Sequence, residues 1–98
     1  MKPVLYGFVA ATILLAAGAA QAADGQATYN QDCAMCHNNL EPKIGNKAAW
    51  EPLIKQGTDT LVAAVIKGKG AMPARAGKPD LSDADIKAAV EYIESKSQ

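Results

Sequence analysis

The sequence predicts an all-α fold of about four helices in one small domain. Three observations carry that prediction. Apolar residues recur at helical spacing in four segments, bounded by cap residues or glycine stops. No stretch alternates apolar and polar residues as a half-buried strand would. The two intervening stretches, residues 38–45 and 68–81, are rich in Gly and Pro and read as loops. A chain of 98 residues allows a single domain, and it shows no internal repeat or low-complexity tract.

The domain does not start at residue 1. "MKPVLYGFVAATILLAAGAAQA" has a positive start at Lys2, an apolar run from Val4 to Ala20 and small residues at its end. We read residues 1–22 as a cleaved export signal, residues 23–98 as the domain, and the periplasm as its location. The alternative is a retained anchor that leaves the domain membrane-bound and facing the periplasm, since the run is about long enough to span. Lys2 leaves with the signal, so the ten Lys and Arg of the full chain then fall one short of its ten acids. Phosphate binding needs a basic face, so nucleic acid is excluded as a partner class. Tyr6 and Phe8 leave too, and Tyr29, Trp50 and Tyr92 are the aromatic residues that remain. So small a core needs a staple, a metal or a cofactor.

The helices are taken in chain order. "ADGQATYNQDCAMC" spaces Gly25, Tyr29, Cys33 and Cys36 so that all of them share one helical face. "NKAAWEPLIKQG" starts at Asn46 as N-cap and ends at Gly57. Pro52 lies inside it, so either the first turn is a separate piece or Pro52 falls near the helix start. "TDTLVAAVIKG" is capped by Thr58 or Gly57, carries an apolar stripe of Leu61, Val62, Val65 and Ile66, and stops at Gly68. "LSDADIKAAVEYIESK" has Ser82 as N-cap, Asp83 and Asp85 in its first turn, and Lys96 in its last. Ile86, Val90 and Ile93 form its apolar face.

"CAMCH", residues 33–37, holds both cysteines and the single histidine of the chain. A thiol–disulfide oxidoreductase would place C-x-x-C at a strand–helix boundary, and no strand is available. A zinc site wants four ligands, and these residues supply three. A plain disulfide is poorly placed between positions i and i+3 of a helix. The reading that remains is covalent attachment of one haem c. The Cys33 and Cys36 thiols add across the two vinyl groups, and His37 comes beneath the iron as proximal axial ligand.

A second histidine ligand is excluded, since His37 is alone. Methionine is the natural sixth donor, and its thioether favours ferrous iron. Met1 leaves with the signal, and Met35 lies between the cysteines on the proximal side. Met72 stands in the long loop, with Gly68 and Gly70 before it and Pro73 after it, residues that allow close approach and hold shape. We read Met72 as the distal axial ligand of the iron. The competing reading is an apolar anchor for the loop.

With "CAMCH", "EPKIGNKAAW" and "GKGAMPARAG…LSDADIKAAVEYI" in view, the chain resembles the class I c-type cytochromes, and among them the short bacterial cytochrome c5 group. The resemblance runs from Gly25 to Ile93. It implies a small class I cytochrome c fold wrapped around one covalent haem. It implies crossed N- and C-terminal helices, with Gly25, Tyr29 and Tyr92 at the crossing. It implies the Pro42 carbonyl as acceptor for the other ring N–H of His37, which would orient the ring and raise its basicity. Relatives often have an extra disulfide near the second loop; here both cysteines belong to the haem motif, which leaves the loop after Met72 less constrained. Trp50 reads either as core filler or as a donor to a haem propionate, a role also open to Arg75 and Lys43.

The expected function is electron carriage in the periplasm by a monomer, between redox partner proteins, with both axial sites filled and no enzymatic step. A peroxidatic haem protein would need an open sixth site. A haem subunit docked in a larger membrane oxidoreductase complex is the other alternative. Charge is uneven: Lys67, Lys69, Arg75 and Lys78 bracket Met72, while Asp80, Asp83, Asp85, Glu91 and Glu94 come after them. These runs read either as solvated faces or as a positive rim at the haem edge, with the acidic run on another face.

Overall fold

The computed structural model describes residues 23–98. The export-signal reading of residues 1–22 lies outside them. The N-terminal helix α1 is built of three pieces end to end: α-helical Gly25–Thr28, π-helical Tyr29–Cys33 and α-helical Ala34–His37. Helix α2 spans Lys47–Ile54, α3 Thr58–Lys67 and α4 Asp83–Lys96. A 3₁₀ turn, Ala74–Gly77, lies in the long loop. No strand is present among the described residues. None of their helices is long and apolar enough to cross a membrane.

Side-chain chemistry sets the helix ends. Asp24 caps α1 by accepting from the Ala27 N–H at 3.1 Å. Asn46 caps α2 by accepting from Ala49. Gly57 and Gly68 bound α3 with φ of 99° and 91°, a region that favours glycine. Ser82 and Asp85 form a reciprocal capping box at α4.

Two elements differ from the sequence reading. Helix α2 stops at Ile54, and Gly57 serves as N-cap of α3 instead of ending α2. Pro52 sits in the second turn of an unbroken helix, two residues before its end, where its missing N–H costs one bond. In α1 the Ala34 N–H donates to the Tyr29 carbonyl, five residues back. That wide turn takes in an extra residue and rotates the next turn of the helix relative to the one before it. Gly25, Tyr29 and Cys33 still share the core-facing side, while Cys36 lines the neighbouring cavity. Tyr29 is buried, Cys33 half-buried and Cys36 exposed.

Helices α1 and α4 cross at Gly25, as the resemblance implied. A β-carbon there would overlap the Ala88 carbonyl oxygen, so glycine allows the close approach. Beside it the rings of Tyr29 and Tyr92 pack with centroids 5.5 Å apart, tilted by 43°. Tyr29, Trp50 and Ile93 form the core cluster, while Ile86, Ala89 and Val90 are also buried on α4. At the chain end, the Gly45 N–H donates to the buried Ser97 hydroxyl at 2.8 Å, tying the first loop to the C-terminus.

Candidate haem site

His37 ends α1, and the loop after it folds back beneath the ring. The Ile44 N–H donates to the His37 carbonyl at 2.8 Å. The imidazole Nδ1–H donates to the Pro42 carbonyl at 2.9 Å. A carbonyl can only accept, so the ring proton is on Nδ1 and the Nε2 lone pair is left for a metal. The Trp50 ring packs 5.8 Å from the imidazole, centroid to centroid.

Met72 is held by a tight reverse turn. Lys69 and Met72 exchange both backbone hydrogen bonds, each 3.0 Å, across Gly70 and Ala71. Gly70 has φ of 59°. Pro73 fixes the chain on leaving the turn.

His37, Cys36 and Met72 line one cavity of about 540 Å³. Helix α3 contributes Leu61, Ala64 and Val65 to it, and α4 contributes Val90 and Ile93. Trp50 and Leu53 of α2 complete the apolar wall. Such a volume, apolar wall and small set of donors is the usual make-up of a cofactor pocket. One imidazole and two sulfurs suit haem iron and haem attachment, and the lining suits an apolar macrocycle.

Cys33 is not among the lining residues. It packs against the Tyr29–Trp50–Ile93 cluster. Burial pushes its thiol up to about 11, and the carboxylate of Asp32 adds to the effect. A redox-active C-x-x-C needs a lowered thiol pKa, so this environment argues against disulfide exchange.

Two of the three suspected propionate donors, Trp50 and Arg75, are otherwise engaged. The indole N–H of buried Trp50 donates to the Lys43 carbonyl at 2.7 Å, so Trp50 is core filler with a satisfied donor. Arg75 donates to the Leu81 carbonyl and pairs with Asp83, both at 2.7 Å. Lys78 pairs with Asp32 at 3.1 Å. The rim expected from the basic run is thus reduced to Lys67 and Lys69, which have no ion-pair partner among the described residues. Asp83 lies beside the basic run instead of on another face, because the capped start of α4 turns it towards Arg75. Asp32 was invisible as a partner from sequence, since nothing local joins it to Lys78.

A family model described as "Cytochrome C oxidase, cbb3-type, subunit III" matches residues 20–93. The chain is 48% identical over 84 residues to cytochrome c-555 of Chlorobaculum thiosulfatiphilum, covering 79% of this chain and 98% of that protein. It is 40% identical over 97 residues to chloroplastic cytochrome c6 of Chlamydomonas reinhardtii, covering 87% and 64% respectively. A chain in the crystal structure of an electron transfer complex of nitrite reductase with cytochrome c superposes with a TM-score of 0.72 at 42% identity, covering 76% of this chain and 94% of that one. Helices, donor set and relatives agree: the chain belongs to the small class I c-type cytochromes, monohaem proteins that bind haem c covalently and carry electrons without acting as enzymes.

Proposed function

We propose that the protein is a periplasmic electron carrier whose iron is held between His37 and Met72, with Cys33 and Cys36 as the thioether attachments. The observation that carries this reading is the placement of His37 and Met72 on one apolar cavity, each fixed by backbone groups of its own loop. Haem iron, when bound, supplies reversible one-electron exchange. The protein's share is to hold its ligands still and keep water away. Pro42 orients the imidazole and raises its basicity through Nδ1–H. The turn at Lys69–Met72 presents the thioether. Leu61, Val65, Val90 and Ile93 exclude water, which favours the less charged ferrous state. A peroxidatic role would need a distal base or cation; the chain has one histidine, and Arg75 is bonded elsewhere.

The near-infrared spectrum of the ferric holoprotein tests the ligation. A methionine–iron charge-transfer band is expected, and Met72→Ala should abolish it and admit carbon monoxide to ferrous iron. Survival of the band in Met72→Ala would assign the sixth site to another group. Export is tested by fractionation and N-terminal sequencing, with Ala23 expected as first residue. A second reading, a haem subunit docked in a larger membrane oxidoreductase, is favoured by the description of the matching family model. Co-purification with an oxidase in mild detergent would support it; recovery of the protein alone supports the free monomer.

A further inference from the structure

The loop carrying Met72 is tied down from two sides. Arg75 binds it to the start of α4 through Leu81 and Asp83. Those partners are close in sequence, and the Asp83 side chain is 69% exposed. Lys78 binds it to a different element. Its Nζ lies 3.1 Å from Asp32 Oδ1, across 46 residues of chain. Asp32 stands in α1 directly before Cys33, and its side chain is only 9% exposed. Among the described residues this is the only hydrogen bond between residues 68–81 and α1. No disulfide shares the task, since both cysteines are in α1.

The loop needs restraint. Arg75 and Ala76 both take left-handed backbone, with φ of 54° and 55°, which L residues disfavour. An enclosed carboxylate such as Asp32 has lost most of its water, and one ammonium compensates it. Opening the loop returns water to Asp32, so the closed loop depends on Lys78.

We propose that the Asp32–Lys78 pair is a latch that holds the Met72 loop against α1 and sets how often the Met72 sulfur leaves the iron. The proposal rests on Met72 being the distal ligand. Neither residue lines the cavity, so both are positioning residues. Breaking the pair leaves Asp32 desolvated in the closed state alone. Release of Met72 therefore speeds up, while the ligand set of the closed state is unchanged.

The test mixes ferric holoprotein with imidazole, which enters the sixth site only after Met72 leaves. At saturating imidazole the observed rate equals the rate of Met72 release. Lys78→Met should raise it about tenfold. Lys78→Arg should restore a rate near that of the unaltered protein. Each variant should keep the near-infrared band. Should Lys78→Met fail to take up haem, Lys78→Gln, which also leaves Asp32 without its ammonium, carries the same expectation. A band present with an unchanged limiting rate overturns the latch alone. A band missing from the unaltered protein overturns the ligation reading, and the latch with it.

Discussion

The His37 Nδ1–H donates to the Pro42 carbonyl at 2.9 Å, across a loop that also returns the Lys43 carbonyl to the Trp50 indole. The two contacts make residues 38–45 a cradle for the His37 ring. An N–H that points into a carbonyl lends the imidazole anionic character, which favours ferric iron.

Pro42→Ala should loosen that cradle, since proline restricts the backbone that aims the carbonyl. The weakened hydrogen bond should raise the reduction potential. A tenfold shift in relative affinity for the two oxidation states corresponds to about 59 mV for one electron. Potentiometric titration checks it, and a fall in potential would contradict the cradle's role.

Trp50→Phe separates the two readings of the indole. It removes one of two donors to the Lys43 carbonyl, which keeps the Asn46 N–H at 3.1 Å. The expected loss of stability from the hydrogen bond is about 0.5–1.5 kcal/mol. The potential should stay nearly unchanged, because the partner is a backbone carbonyl instead of a haem group. Guanidinium unfolding and redox titration together check this. A large shift in potential with stability intact would return Trp50 to the propionates.

The Cys33 thiol gives a pH test of attachment. In the haem-free chain its folded value lies near 11, above the ordinary 9.0. A raised thiol pKa contributes stability that is fully present below the unfolded value and is lost as pH rises through the folded one. Any folded haem-free chain should therefore weaken between pH 9.0 and about 11. The holoprotein should lack that component, since a thioether has no proton to lose. Thiol titration of denatured holoprotein should find no reactive cysteine. One reactive thiol would mean a single attachment.

The parts legible in sequence were local. Asn46, Ser82 and Gly68 mark helix ends by chemistry within a turn of themselves, and each does so in the structure. The even spacing of Gly25, Tyr29 and Cys33 reads as an unbroken α-helix, and these residues do share the core-facing side, yet the turn from Tyr29 to Cys33 closes as a π turn. A hydrophobic period cannot distinguish i+4 from i+5 closure over a single turn. The partners of Trp50 and Lys78 were hidden because a backbone carbonyl leaves no mark on the sequence and Asp32 is brought near only by the crossing of loop and helix.

That pairing changes how the charge near the cavity acts on a partner. Of the basic run, Arg75 and Lys78 are neutralised by Asp83 and Asp32. Lys67 and Lys69 stay exposed, and Lys69 lines the cavity mouth beside Gly70 and Ala71. An acidic redox partner would be steered by these two lysines. Steering of this kind acts on the association rate and weakens with salt. The double variant Lys67→Glu, Lys69→Glu should slow second-order electron transfer to such a partner at low ionic strength, by about ten-fold or more. The gap should close as salt shortens the Debye length to about 8 Å at physiological strength. The potential should hardly move, because neither side chain is a ligand. Stopped-flow rates across a salt series check this. Equal rates at low salt would show that the two lysines form a solvated face without a role in encounter.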